Sequence, residues 1–160
     1  MPKIHTPIHI MQKNCRVSKD ITLTLINDIN PAKVDFILIQ EPYVYPNSSL
    51  SIASPKWRSY YPTQPCHDPV RPRSLLLVNA TIDPATVKQI PIPSPLITVI
   101  SLLSNSQPLQ IFNIYNPPNS DLAFDHLEAW LHNTSHSQHT FWAGDFNKHH
   151  SLWLGHEVPD

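Results

Sequence analysis

Glycine is nearly absent from this 160-residue sequence, which holds two, Gly144 and Gly155. Phosphate cradles built on glycine-rich loops, the P-loop and the Rossmann fingerprint alike, are thereby excluded. Charge is scarce as well. Eleven basic and twelve acidic residues leave a net charge of −1, so no global cationic field draws a polyanion and any nucleic-acid site must be local. Long apolar runs are missing: residues 75–78 and 96–103 fall far short of the ~18 residues that a membrane span needs. The opening MPKIHTPIHIM has no continuous apolar stretch of the kind a secretory signal carries. Two cysteines, Cys15 and Cys66, do not make a disulfide framework. They read as inert thiols in a reducing, intracellular setting, nuclear or cytoplasmic.

What fills the chain is neutral polar residues and 18 prolines. The length suits one domain. Extended and helical patterns alternate. Residues 4–15 read as a first strand with Ile4, Ile8, Ile10 and Met11 on buried faces. Ser18 can cap a helix to about Asn30, where Ile21, Leu25 and Ile29 recur every four residues and Pro31 ends the run. Residues 34–39 are a short apolar run of the kind a parallel strand covered on both faces shows. Residues 4–39 thus form a candidate βαβ unit.

A long, proline-rich loop follows over residues 42–72, with one short strand near Trp57–Tyr61. Residues 74–79, 96–103 and 109–115 read as strands, the last two as a hairpin around residues 104–108. Asn119 or Ser120 caps a helix to about His132. A last strand covers residues 140–143, and Gly144 opens a loop that runs to Asp160.

Unusual polar residues stand at or just past the ends of these strands: Asn14 at the end of the first, Gln40 and Glu41 after Ile39, Tyr115 and Asn116 after Ile114, Asp145 and Asn147 after Ala143. In α/β sheets, sites form outside the carboxyl ends of strands. The chemistry that fits is metal-assisted attack on a phosphodiester. Mg²⁺ takes oxygen ligands, few of them from protein. Glu41 can anchor the ion with Asn14 beside it, Asp145 can hold the attacking water, Asn147 can donate to a phosphate oxygen, and Tyr115 can bind phosphate as charge develops.

At these residues the sequence resembles the endonuclease/exonuclease/phosphatase superfamily, and within it the endonuclease domain of non-LTR (LINE-type) retrotransposons. The resemblance rests on Asn14 with Arg16, Gln40-Glu41, Arg71-Pro72-Arg73 before an apolar strand, Tyr115-Asn116-Pro117-Pro118, Gly144-Asp145-Phe146-Asn147, and the continuation His149-His150-Ser151-Leu152-Trp153. It covers residues 8–155. It implies a two-sheet α/β sandwich with helices outside, and Mg²⁺-dependent (or Mn²⁺-dependent) hydrolysis of DNA phosphodiesters. It also implies a role in nicking target DNA for the reverse transcriptase of a parent element. Carried over, Glu41 and Asn14 are the metal residues; Asp145, Asn147 and Tyr115 are catalytic; Asn116 and Arg73 bind substrate.

The sequence departs from that family in two places. Lys13 precedes Asn14 where an aromatic or polar residue is usual. No Asp-His pair follows Asn147, whereas the family completes its site with a later aspartate and a terminal Ser-Asp-His-type motif. Residues 1–160 are therefore expected to form a single partial domain, incomplete at its C-terminus, with impaired catalysis, exposed apolar strands such as residues 96–103, and a tendency to associate. His149 and His150 are the nearest substitutes for the missing base.

Two other readings compete. His132, His136 and His139, with His149, His150 and His156, have spacings that zinc sites use, but structural zinc sites usually recruit Cys and Cys66 is far off in sequence, so solvated histidines in a polar loop are the simpler reading. The aromatics of residues 42–73, interleaved with Lys56, Arg58, Arg71 and Arg73, could stack bases in a non-catalytic nucleic-acid-binding or interaction module. Alternatively, they pack the loop onto the sheet.

Overall fold

The computed structural model describes residues 7–63, 71–103, 107–135, 137 and 139–148. Among these residues, eight strands form two four-stranded mixed sheets. The first sheet has the order β1 (Ile10–Asn14), β2 (Phe36–Gln40), β4 (Ser74–Asn79), β3 (Trp57–Tyr60). The second has the order β5 (Val87–Ile90), β6 (Ile97–Leu102), β7 (Leu109–Tyr115), β8 (His139–Asp145). Helix α1 (Lys19–Asp28) joins β1 to β2, and α2 (Leu122–Asn133) joins β7 to β8. Both joined pairs are parallel, as βαβ crossovers require.

Period-two alternation builds the layers. On β2 and β4, Phe36, Leu38, Leu76 and Val78 face the other sheet, where they meet Ile100 and Ile111. The residues between them, Ile37, Ile39, Leu75 and Leu77, face outward and pack under Ile26 of α1. The second sheet does the same: Ile97, Val99, Phe112 and Ile114 pack under Ala123, Leu127 and Trp130 of α2. The result is an α/β sandwich with a helix on each outer face. A strand buried on both sides cannot alternate apolar with polar, which is why β2 and β4 read as continuous apolar runs. Each such fully buried Leu or Ile contributes about 1.5–3 kcal/mol.

Ser18 caps α1, its Oγ accepting from the Ile21 N–H. The buried stripe of α1 is Thr22 and Ile26, with Leu25 and Ile29 half-buried, while Ile21 is exposed. The stripe is rotated from the expected one because Thr22 is needed inside: its hydroxyl donates to the Ser18 carbonyl and accepts from the Tyr43 N–H. Expected burial also fails at β1 and just before it, where Ile8 and Met11 are exposed and Ile10 half-buried. The strand lies at a sheet edge, so only one side of it is covered; Ile4 lies outside the described residues.

At α2 the cap position is Asp121, although the Ser120 Oγ does accept from the Leu122 N–H. Strand β5, preceded by a 3-10 turn at Pro84–Thr86, is an addition to the expected elements; its VKQI is too short and polar to stand out. The β6 strand is central in its sheet and buried from Ile97 to Ser101, contrary to the expected exposure. Strand β8 runs on through Gly144 to Asp145, because its ladder with β7 continues to the Tyr115–Asp145 pair. Gly144 makes this possible: a Cβ there would lie 1.9 Å from the Ile114 carbonyl oxygen.

Candidate active site

Strands β1, β2, β7 and β8 end at the same edge of the sandwich, where antiparallel β4 begins. Asn14 pairs with Gln40 across the β1–β2 ladder, and Tyr115 with Asp145 across the β7–β8 ladder. The sheets are tied together here: the Arg73 N–H donates to the Pro95 carbonyl (2.9 Å), and the Glu41 N–H to the Arg73 carbonyl (2.9 Å).

Five side chains close a ring across this edge. Asn14 Nδ2 donates to Asp145 Oδ2 at 2.7 Å, joining one sheet to the other. Arg73 donates to Glu41 Oε1 at 2.8 Å, and its guanidinium lies 5.2 Å from the centre of the Tyr115 ring. The two ladder pairs complete the circuit. The carboxylates are thus oriented by protein donors before any substrate arrives. The second oxygen of Asp145 accepts from the Asn147 N–H at 3.3 Å. The Arg16 N–H holds Asn14 Oδ1 at 2.8 Å. Glu41 and Asn147 both adopt left-handed backbone, with φ of 49° and 45°. Non-glycine residues rarely adopt this conformation, and such residues cluster at functional sites. For Glu41 it is held by the Val17 N–H, which donates to the Glu41 carbonyl at 2.8 Å.

Burial pushes the Tyr115 phenol above its ordinary pKa; the Glu41 carboxylate adds to this, and Arg73 opposes it. Tyr115 is therefore a neutral hydrogen-bond donor throughout the neutral range. Burial also raises the Cys15 thiol, in keeping with an inert side chain.

The structure gives Asn116 a different role from the expected substrate contact. It is fully buried. Its Nδ2 donates to the carbonyls of Ser120 and Phe146, and its Oδ1 accepts from the Ala123 N–H. The amide is consumed in joining the start of α2 to the loop after β8. Asn147 rests on it, donating one Nδ2 hydrogen to the Asn116 carbonyl at 2.8 Å and keeping the other.

Beneath the ring lies a layer the sequence reading missed. Gln40, Ser74, Thr98 and Asn113 are buried between the sheets. Asn113 Nδ2 donates to the Ile39 and Leu75 carbonyls, both at 2.9 Å. Gln40 donates to Asn113 Oδ1 and accepts from Gln12. The Ser74 hydroxyl donates to the Asn113 carbonyl, and the Thr98 hydroxyl to the Ser74 carbonyl. Three members stand one or two residues from a ring member: Gln40 before Glu41, Ser74 after Arg73, Asn113 before Tyr115. The signal was a lone asparagine inside the apolar stretch Ile111–Tyr115.

The basic residues of the long loop are occupied elsewhere. Lys56 donates to the Asn27 carbonyl, and Arg58 to the Ala80 and Ile82 carbonyls. Trp57 is buried and bonded to the Ile26 carbonyl. These residues pack the loop onto the fold. His132 faces Glu128 on α2, and His136, His149, His150 and His156 lie outside the described residues. Among the described residues no group of three or more His, Cys, Asp or Glu is arranged to hold a metal, and no helix is long and apolar enough to cross a membrane.

Comparison with known proteins agrees with this geometry. A family model described as "Endonuclease-reverse transcriptase" matches residues 109–158. Among solved structures, the "Endonuclease domain of TRAS1, a telomere-specific non-LTR retrotransposon" superposes with a TM-score of 0.67 at 20% identity, over 92% of this chain and 62% of that one. An endonuclease/exonuclease/phosphatase family protein from Leptotrichia buccalis superposes with a TM-score of 0.50 at 9% identity, over 88% of this chain and 67% of that one. No curated protein matches. The chain therefore spans 62% of the length of the TRAS1 domain. Its fold is the one these two solved structures share, and its residues 109–158 are similar to the endonuclease-reverse transcriptase family.

Proposed function

We propose that this domain of endonuclease/exonuclease/phosphatase fold uses the ring at its strand ends to cleave DNA phosphodiesters with a divalent cation. The observation that carries the reading is the direct Asn14–Asp145 bond between sheets, next to the Arg73–Glu41 pair. It gathers two carboxylates, a guanidinium, a phenol and two amides at one edge.

The donor set fits a hard cation such as Mg²⁺ or Mn²⁺. Arg73 is bonded to one Glu41 oxygen, which leaves the other for a metal, and the Asn14 carbonyl oxygen keeps a second lone pair beside its bond from Arg16. An ion held there would offset negative charge gathering on the phosphodiester. The protein groups do the rest. Asp145, fixed by Asn14 and the Asn147 N–H, orients a water and draws on its proton. The Tyr115 phenol and the Arg73 guanidinium donate to non-bridging oxygens, and Asn147 offers its remaining amide hydrogen. Nicking of target DNA for a reverse transcriptase, in the nucleus or cytoplasm, is the setting this chemistry suits.

Nicking of supercoiled plasmid by the 160-residue polypeptide with Mg²⁺ tests the reading. No Asp-His pair follows Asn147 within the sequence, and loss of a positioned base costs about 10²–10⁴ in rate. Slow nicking is expected, abolished by Asp145→Ala and by chelation. Nicking that persists in Asp145→Ala would remove Asp145 from the site. DNA binding indifferent to Mg²⁺ and to Glu41→Ala would favour a non-catalytic module instead.

A further inference from the structure

Among the described residues, six that are not glycine have positive φ. Three are asparagines, Asn47, Asn119 and Asn147, a residue type whose short polar side chain tolerates the left-handed region. The other three are Arg16 (50°), Val17 (57°) and Glu41 (49°). They lie together, since the Val17 N–H donates to the Glu41 carbonyl. For a β-branched residue such as valine this conformation is an outlier. Residues 15–18 form a turn, closed by the Ser18 N–H donating to the Cys15 carbonyl at 2.9 Å. Positive φ at both central residues marks a type I′ turn, where Asn-Gly is the favoured pair. An arginine and a valine in those places break the local rule, and such breaks belong to functional or strained sites.

We infer that the turn from Cys15 to Ser18 is a strained clip that positions both carboxylates of the ring, with Arg16 and Val17 as positioning residues acting through their backbone N–H groups. The turn aims two consecutive N–H groups at two different targets. The Arg16 N–H donates to Asn14 Oδ1 at 2.8 Å. That bond decides which end of the carboxamide faces Asp145: with Oδ1 engaged, Nδ2 is presented to Asp145 Oδ2, at 2.7 Å. Turned over, the amide would set its oxygen against a carboxylate, two acceptors with no hydrogen between them. The next N–H, that of Val17, holds the Glu41 carbonyl at 2.8 Å, while the Glu41 N–H donates to the Arg73 carbonyl at 2.9 Å. Both peptide groups of Glu41 are thereby fixed.

Bonds on either side keep the turn from relaxing. Before it, the Cys15 N–H donates to the Gln40 carbonyl at 2.8 Å. After it, Thr22 Oγ1 donates to the Ser18 carbonyl at 2.8 Å and accepts from the Tyr43 N–H at 3.1 Å. Negative φ at residues 16 and 17 would rotate the peptide planes that carry the two N–H groups and redirect both. That the two carboxylates serve one cation and one phosphodiester rests on the nuclease reading of the site; the strain and the two bonds do not.

The double variant Arg16→Asn/Val17→Gly supplies the favoured pair and keeps both N–H groups. It should shift the unfolding equilibrium about tenfold towards the folded state, because relief at two left-handed positions outweighs the freedom that glycine adds to the unfolded chain. Its Glu41 and Asp145 amide resonances should stay close to their wild-type positions. Val17→Pro removes one N–H and fixes φ at about −65°. With far-UV circular dichroism retained, it should shift the amide resonances of both Glu41 and Asp145, which sit at strand ends of different sheets. It should also weaken Mn²⁺ binding by about 10–100-fold. A double variant less stable than wild type would overturn the proposal, since the turn would then hold no strain. So would a Val17→Pro protein whose Glu41 and Asp145 resonances stay in place; should Val17→Pro not fold, the double variant decides alone. Stability and resonance positions stand apart from nicking. A stabilised double variant of a protein that binds no Mn²⁺ at the ring would sink only the reading of the site.

Discussion

The layer between the two sheets has two characters. Along most of its length it is apolar: Phe36 and Leu38 on β2, Leu76 and Val78 on β4, Ile100 and Ile111 on the other sheet. At the site end the same alternation delivers Gln40, Ser74, Thr98 and Asn113, all buried and hydrogen-bonded. The apolar part supplies free energy without direction, since dispersion and burial tolerate small slips of one surface on another. The polar part supplies direction. A buried amide with three fixed partners is satisfied in a single alignment of the sheets and is costly in any other. Glu41, Arg73 and Tyr115 follow from strands aligned in this way, so the geometry of the ring is set one layer below it.

Replacing Asn113 by leucine, which has the same branched arrangement of side-chain heavy atoms but no polar ones, attacks that distinction most strongly. It strips Gln40 of its acceptor and the Ile39 and Leu75 carbonyls of a donor. Unpaired buried groups cost about 1–3 kcal/mol each, so chemical denaturation should show a loss of about 4 kcal/mol. Amide resonances of Glu41, Arg73 and Tyr115 should shift with it. Leu76→Ala, in the apolar part, should cost a comparable 2–5 kcal/mol or so while leaving those resonances in place. Equal disturbance of the ring by both variants would erase the difference between the two parts.

A smaller effect separates the ring from solvent. Burial and Glu41 raise the Tyr115 pKa above its ordinary value of 10.0. Above pH 10 the native state therefore holds a proton that the unfolded state has lost, and stability falls as pH rises through that range. Tyrosinate absorbance, wild type minus Tyr115→Phe, should place the Tyr115 transition above pH 10. The alkaline loss of stability should be shallower in Tyr115→Phe. A transition at or below pH 10 would mean that the phenol is not held in the ring as described.

Much of the architecture was legible because its signals are local. The Ser18 cap, the apolar runs of β2 and β4, and the β6–β7 hairpin follow from patterns that need no knowledge of the partner strand. The strand ends carrying Asn14, Glu41, Tyr115 and Asp145 were legible for the same reason. What escaped depends on tertiary context. Whether Met11 is covered depends on β1 lying at an edge. Asn116 looked like a ligand because it follows Tyr115, yet its amide is taken by residues 120, 123 and 146. Arg73 and Glu41 lie 32 residues apart, and their pairing appears only once β2 and β4 run antiparallel. The buried amide layer was visible only as an odd asparagine in an apolar strand.

The central claim is that one ring at the strand ends holds both cation and phosphodiester. Adding Mn²⁺ to isotopically labelled protein and mapping the resonances that broaden tests it most directly. Broadening should centre on the amides of Asn14, Glu41, Tyr115 and Asp145 and should vanish in Glu41→Gln. Broadening centred on His132 or His139 and untouched by Glu41→Gln would contradict the account.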